Sequence, residues 1–127
     1  METTKHKSYK DLLCWQKAND LVATIYKVTI NLRDHVLPDQ LRRAGLSIMN
    51  NIAEGYSRKS SKEKSRFFEI AMSSCTEIES MSYLLEKLKL IEIDDVHFIR
   101  EHSVEIHKMI LGLDKYFATK AKEKGAK

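Results

Sequence analysis

The chain has 127 residues, of which 43% are hydrophobic and 31% charged, and its formal net charge at pH 7 is +4. This length suits one globular domain and leaves too little chain for two separate cores. No apolar run approaches the roughly 18 residues of a membrane span, and the N-terminus lacks the apolar segment of a signal peptide, so we expect a cytoplasmic protein.

A single proline and four glycines leave few turn-forming residues, which favours long helices over a sheet. Apolar side chains three or four positions apart predict a first amphipathic helix over residues 11–33. A second helix is predicted over residues 38–56, with Pro38 in its first turn and Gly55 placed to end it. A mixed, partly apolar flank of this second helix, which could meet another subunit, carries Arg42, Met49, Ala53 and Tyr56.

A serine-rich turn follows, and Ser60 with Glu63 offers a capping box for a third helix over residues 61–90. This helix has two apolar faces, which implies two neighbours. The face that widens its apolar arc carries Phe68, Met72 and Cys75. A fourth helix is predicted to begin with Asp94 or Asp95 as its N-cap and to end near Thr119.

These elements predict an all-α fold, an antiparallel up-down-up-down four-helix bundle, because three short connections favour antiparallel neighbours. The bundle is expected to occupy residues 11–119. Residues 1–10 are predicted to be a flexible N-terminal arm, and residues 120–127 a flexible basic tail.

Residues that could carry chemistry are few. Cys14 and Cys75 lack the spacing of metal ligands and are predicted to be small buried side chains. The fourth helix carries possible metal ligands at His97, Glu101, His102, Glu105 and His107. Most of these point away from its core stripe and no Glu-x-x-His occurs, so we predict no metal site, no cofactor and no catalytic residues.

The stronger signal is basic. Between positions 58 and 66, one acid, Glu63, stands among five cations: Arg58, Lys59, Lys62, Lys64 and Arg66. Exposed cations attract phosphates without reading sequence, so these five, together with Arg42 and Arg43, are the predicted nucleic-acid contacts. On charge alone a solubilising surface is an equal alternative, because few aromatic residues are placed for base stacking, Tyr56 being the best candidate.

Four segments of the chain resemble one bacterial family. They are residues 11–18, 41–48 and 51–58, and the stretch from Glu63 through Phe67 to Glu79. The family is that of the four-helix-bundle proteins encoded in intervening sequences of 23S ribosomal RNA genes, often labelled S23 ribosomal protein. The resemblance covers about residues 9–117, and the Asn-Ile-Ala-Glu-Gly motif at 51–55 is its most specific part.

The resemblance implies a four-helix bundle, a homo-oligomer that is commonly a pentamer, and no established catalysis. Accessory proteins of diversity-generating retroelements are similar in fold and are thought to bind nucleic acid and a reverse transcriptase. The ribosomal label reflects genomic location and does not imply a component of the ribosome.

Two hypotheses of function follow. The first is a non-enzymatic, oligomeric nucleic-acid-binding protein, with RNA as the expected ligand. The second is a structural adaptor that binds a protein partner through an apolar helix face. The residues expected at such an oligomer or partner interface are Trp15, Met49, Tyr56, Phe68 and Met72.

Overall fold

The computed structural model describes residues 8–125, which form four α-helices preceded by a short 3-10 helix. The 3-10 helix is Tyr9–Asp11, and the α-helices are α1 (Leu13–Thr29), α2 (Val36–Ser57), α3 (Ser61–Leu88) and α4 (Ile93–Gly125). Each α-helix packs against two others, in the cyclic order α1, α2, α3, α4. The predicted all-α four-helix bundle is therefore confirmed. None of the helices in this part of the chain has the length and hydropathy to cross a membrane.

The core lies along the axis of the bundle and consists of side chains that recur three or four positions apart on every helix. Its largest fully buried members are Leu21, Ile25, Leu41, Ile48, Ile52, Phe68, Ile78, Leu85, Ile99, Ile106 and Ile110. Burial of each such side chain contributes about 1.5–3 kcal/mol of transfer free energy, which makes this stripe the main reason that the four helices associate.

The observed ends of α1 and α2 differ from the predicted ones by a few residues. α1 ends at Thr29, whose Oγ1 donates to the carbonyl of Ile25 at 2.6 Å and closes the last turn. α2 begins before Pro38, because Asp34 Oδ2 accepts the N–H of Leu37 at 3.2 Å and supports an earlier first turn.

The later helices also differ at their ends. α3 ends at Leu88, followed by Lys89 with a left-handed φ of 53°, a conformation that commonly terminates helices. Asp94 and Asp95 lie inside the first turn of α4, where carboxylates interact favourably with the helix dipole. α4 runs past the predicted end at Thr119 to Gly125, so most of the predicted tail is helical. Of the predicted arm, residues 1–7 lie outside the described residues.

Gly55 does not end α2, contrary to the prediction, since the helix continues to Ser57. A Cβ at this position would lie 2.7 Å from Cε1 of Phe68 and 3.2 Å from the carbonyl oxygen of Lys64. Glycine is therefore required for the close approach of α3 to α2. At the start of α3, the N–H of Glu63 donates to Oγ of Ser60 at 3.1 Å, which is one half of the predicted capping box.

Candidate nucleic-acid interface

Three helix ends meet at one end of the bundle, which we call the basic end. It consists of the α2–α3 connection (residues 58–60), the first turns of α3, and residues 115–125 of α4. Phe117 of α4 joins the three helices, with its ring centroid 6.1 Å from that of Tyr56 and 6.4 Å from that of Phe68. This aromatic contact places the cations of the connection beside those of the α4 end.

A groove of about 680 Å³ runs between the connection and α4, and we call it the lysine groove. Its lining residues are Lys59, Ser60, Ser61, Lys62, Lys64, Tyr116, Phe117, Lys120, Ala121 and Lys124. Five of these are lysines and none is acidic. Lys59, Lys62, Lys120 and Lys124 are exposed, and among residues 8–125 none of the four forms an ion pair with a carboxylate.

Lys64 differs from the other lysines of the groove. Its Nζ donates to the carbonyl of Tyr56 at 2.7 Å, at the C-terminal end of α2. The same Nζ lies 4.5 Å from the ring centroid of Phe117 and 5.5 Å from that of Tyr56. Burial lowers the pKa of Lys64, because desolvation disfavours the ammonium form. Its contacts make Lys64 a link between three helices and leave it poorly placed to meet a phosphate.

The two arginines of the predicted cluster lie around a different ring. The guanidinium carbons of Arg58 and Arg66 lie 4.8 and 5.3 Å from the ring centroid of Phe67. Arg58 also donates to a carboxylate oxygen of Glu54 one turn earlier on α2. Periodicity predicted Phe67 in the core stripe of α3 and Phe68 on the face that widens its apolar arc. This was wrong, since Phe67 is half-buried between these cations and Phe68 takes the core position.

Arg42 and Arg43 do not belong to the basic end. Arg42 lies roughly 24 Å from Arg58 along α2, at about 1.5 Å of rise per residue. Its Nη2 donates to Oγ1 of Thr29 at 2.9 Å, and its guanidinium lies 4.9 Å from the ring centroid of Tyr26. Arg43 is exposed on the same turn. The two arginines form a separate surface near the other end of the bundle.

The predicted interface residues are also separated by the structure. Phe68 is fully buried beneath Gly55 and beside Phe117, so it is a core residue and not part of an exposed flank. The other four are half-buried, namely Trp15, Met49, Tyr56 and Met72. Trp15, Met49 and Met72 pack against the core, and the ring of Tyr56 contacts that of Phe117.

Sequence analysis did not identify Tyr116 as part of the site. Its side chain is 53% exposed in the lysine groove, and Nζ of Lys120 lies 5.6 Å from its ring centroid. Tyr56, the predicted stacking residue, is instead covered in part by Lys64 and Phe117. The spacing of Tyr116 and Lys120, one helical turn apart, was the available signal.

The opposite side of α3 shows that the absence of acids is local to the lysine groove. A neighbouring groove shares Lys62 with the lysine groove. Its other charged lining residues are Arg66, Lys115 and the carboxylates of Glu69 and Asp114. Ser65 Oγ donates to Oδ2 of Asp114 at 3.2 Å, which holds that carboxylate between α3 and α4. Anions are therefore attracted less strongly to this side.

Other polar groups are engaged in packing. Burial raises the pKa of Cys14 to about 11 and that of Cys75 to about 12, so both are protonated at neutral pH and poor nucleophiles. Asn51 Nδ2 donates to the carbonyl of Ser47 at 2.8 Å, and Ser47 accepts a hydrogen bond from Ser74 of α3. In the region from Ser8 to Gly125, no three His, Cys, Asp or Glu side chains are grouped as metal ligands.

The comparisons with known proteins agree with this architecture. A family model described as 23S rRNA-intervening sequence protein matches residues 10–112. The structure is similar to the crystal structure of a protein with unknown function from the S23 ribosomal protein family of Bacteroides thetaiotaomicron. The two share 27% identity over 84% of this chain and 98% of that one, with a TM-score of 0.76. No curated protein matches the sequence. The matched stretch of the family model ends before Tyr116, so the α4 side of the lysine groove lies outside it.

Proposed function

The chain belongs to the 23S rRNA-intervening sequence protein family, and from its basic end we propose that it is a non-enzymatic nucleic-acid-binding protein with RNA as its ligand. The observation that carries this proposal is the lysine groove, in which four exposed lysines line one surface and none of the lining residues is acidic. Unpaired ammonium groups release counterions when they meet phosphates, and this release supplies most of the affinity for a nucleic-acid backbone.

The start of α3 adds to the positive potential of the groove. Ser60 and Ser61 line it, so the N-terminal end of a long helix, with its partial positive charge, faces the same space. The negative charge at the C-terminal end of α2 is offset because Lys64 contacts the carbonyl of Tyr56 in its last turn. Backbone and side-chain charges therefore favour an anion at the same place.

Self-association would strengthen such a site. The family resemblance implies a homo-oligomer, with a pentamer as the expected state. Repeated weak sites on one assembly raise affinity by about 10²- to 10⁴-fold when they can engage the same polymer together. A groove with a few phosphate contacts per subunit is then sufficient for useful binding.

The test compares two triple variants of equal net charge. One replaces Lys59, Lys62 and Lys120 with Gln; the control replaces the exposed Lys27, Lys87 and Lys108, which lie away from the basic end. Affinity for a single-stranded RNA is measured across a salt series. With about 0.7 counterions released per contact, the groove variant is expected to lose about two orders of magnitude in affinity at 0.1 M salt.

The control variant is expected to retain nearly the full slope of log affinity against log salt. Equal losses of RNA affinity in the two variants would show that binding depends only on the net charge of the protein. Equal retention would remove the lysine groove as the binding site. Thermal unfolding of both variants checks that the bundle is intact.

A second candidate is the adaptor function, and one observation favours it. The opposite end of the bundle exposes apolar side chains at both connections, with Ile30 71% and Val36 73% exposed, and Leu88 and Ile93 also exposed. Grouped exposed apolar residues are typical of protein-binding surfaces. A partner that co-purifies after nuclease treatment and high salt, and is lost when Ile30 and Val36 are both replaced with Ser, would support this function.

A further inference from the structure

From the position of Tyr116 we propose that the lysine groove binds unpaired nucleotides, with one base stacked on this ring and the adjoining phosphates held by Lys62 and Lys120. This inference rests on the proposed function and specifies its ligand as single-stranded RNA. Tyr116 and Lys120 lie beyond the residues shared with the family model, whereas Lys62 lies within them.

The ring is presented as a stacking platform. Tyr116 is 53% exposed although it lies within an aromatic cluster, since its ring meets that of Phe117 edge-on at 5.2 Å between centroids. The T-shaped contact with Phe117 orients the ring. Nζ of Lys120 lies over the ring, 5.6 Å from its centroid, so a stacked base would share the ring with this ammonium or displace it. A base on an aromatic face is stabilised whatever its identity, because every base has a π-face.

The cations around the ring have the arrangement that a nucleotide requires. Lys120 lies one helical turn after Tyr116, with Nζ 5.6 Å from the ring centroid, and Lys62 lines the opposite wall of the groove. A base on the ring would therefore leave its phosphates beside ammonium groups on both walls. The groove volume of about 680 Å³ is within the range of roughly 300–1,000 Å³ that is typical of pockets for small ligands.

Duplex RNA fits this arrangement poorly. In a duplex the bases are stacked on each other, and an aromatic side chain reaches a base face only at an end, a bulge or a loop. Phosphates of a duplex could still contact the lysines, so duplex binding should depend on Lys62 and Lys120 but not on Tyr116. Comparing the two RNAs therefore distinguishes the contribution of base stacking to affinity from that of phosphate contacts.

The experiment measures binding of a labelled oligoadenylate and of a long RNA duplex, in which nearly all base faces are internal, to four proteins. These are the unmodified protein, Tyr116→Leu, Tyr116→Phe, and Tyr83→Leu as a control. Tyr83 is exposed to nearly the same extent, 54%, but lies far from the groove on α3. Circular dichroism confirms that each variant is folded.

Tyr116→Leu is expected to weaken oligoadenylate binding about 5- to 150-fold, the range measured for loss of one base–aromatic stack. Duplex binding and the slope of log affinity against log salt should be unchanged, because the substitution removes no charge. Tyr116→Phe should retain the affinity, and Tyr83→Leu should have no effect.

Two results are distinguishable failures. In the first, Tyr116→Leu binds oligoadenylate as tightly as the unmodified protein, while the variant with Lys59, Lys62 and Lys120 replaced binds it more weakly. The stacking proposal is then overturned and the proposed nucleic-acid binding stands. If the unmodified protein binds neither RNA at low salt, the proposed function fails, and the stacking proposal fails with it.

Discussion

Both ends of the bundle carry cationic side chains, but the two sets have different contacts. At the end formed by the α1–α2 and α3–α4 connections, Arg42 donates to Oγ1 of Thr29 at 2.9 Å. Arg100 at the same end donates to Oγ of Ser82 at 2.8 Å and to a carboxylate oxygen of Glu86. At the basic end, by contrast, the exposed lysines line a groove that contains no acid.

This difference shows that the partners of a cation, more than the number of cations, decide where an anion can bind. A guanidinium that already donates to a hydroxyl or carboxylate must give up that bond to meet a phosphate. An exposed lysine without such a partner loses only water and counterions. Anion binding is therefore favoured at one end of a molecule whose cations are spread over both.

Aromatic rings show the same contrast. Toward the end formed by the α1–α2 and α3–α4 connections, a guanidinium lies over each of two tyrosine rings. The guanidinium carbon of Arg42 is 4.9 Å from the ring centroid of Tyr26, and that of Arg100 is 3.8 Å from the ring centroid of Tyr83. In the lysine groove, Tyr116 has the more distant ammonium of Lys120 as its cationic neighbour. Tyr83 and Tyr116 are exposed to nearly the same extent, 54% and 53%, so the rings differ in how closely a cation contacts them. A base that stacks on Tyr116 would displace the more distant cation.

The largest expected effect on stability comes from adding a side chain where α2 and α3 make their close contact at the basic end. Gly55→Ala would place a Cβ within 3 Å of the Phe68 ring and should destabilise the bundle by about 1–3 kcal/mol, the usual cost of overpacking. Gly112→Ala is the matched control, because a Cβ there meets nothing within 4 Å among the described residues. The control should gain up to about 1 kcal/mol from helix propensity. Urea unfolding measures both.

Equal stability of the two alanine variants would mean that α2 and α3 can move apart at the basic end at no cost. The geometry of the lysine groove would then not depend on the contact between Gly55 and Phe68. A destabilised Gly55→Ala variant with unchanged RNA affinity would separate the stability of this contact from its role in the site.

A smaller effect distinguishes two lysines of the same groove. Lys64→Met keeps the apolar stem but removes the bond to the Tyr56 carbonyl, and should cost about 1–2 kcal/mol of folding free energy. Lys62→Met removes an exposed charge and should change stability by less than about 0.5 kcal/mol.

RNA binding by these two variants is expected to show the reverse order. Lys62→Met should reduce the salt slope by about 0.7 to 1, while Lys64→Met leaves it nearly unchanged. Chemical denaturation and a salt titration on the same two proteins measure both quantities. A fall in slope with Lys64→Met would show that its ammonium leaves the Tyr56 carbonyl to bind RNA.

The fold could be predicted from the sequence because one signal, apolar residues three or four positions apart, runs through every helix. The role of Gly55 was predicted wrongly from residue type, since a close helix approach and a helix end both favour glycine. The apolar signal ended α4 near Thr119, where the apolar stripe stops although the helix continues to Gly125. Periodicity reports which face is buried, and it is silent where a helix projects beyond the core.

The site was predictable only in part. The run of cations from Arg58 to Arg66 is local in sequence, so composition found it. The antiparallel packing of α3 and α4 was predicted from the short connections. Which side chains of α4 face that run, Tyr116 and Lys124 among them, depends on tertiary contacts that no local pattern encodes. The hydrogen-bond partners of Lys64 and Arg42 could not be predicted either, because each lies on another helix. The number of cationic side chains could be counted from the sequence. Which of them are free to bind an anion could not be predicted from it.

The smallest effect on RNA binding is expected from Arg42 and Arg43, which were predicted from the sequence as nucleic-acid contacts but lie away from the basic end. Arg42→Gln loses the bonds to Thr29 and should cost about 1 kcal/mol of folding free energy, whereas the exposed Arg43→Gln should cost less than about 0.5 kcal/mol. Both lie well beyond the Debye length of about 8 Å from Arg58, so neither should alter RNA affinity at physiological salt. Unfolding and RNA titration of the single variants measure this. A tenfold loss of affinity with Arg43→Gln would instead extend the RNA path along α2, and the contrast between the two ends would no longer hold.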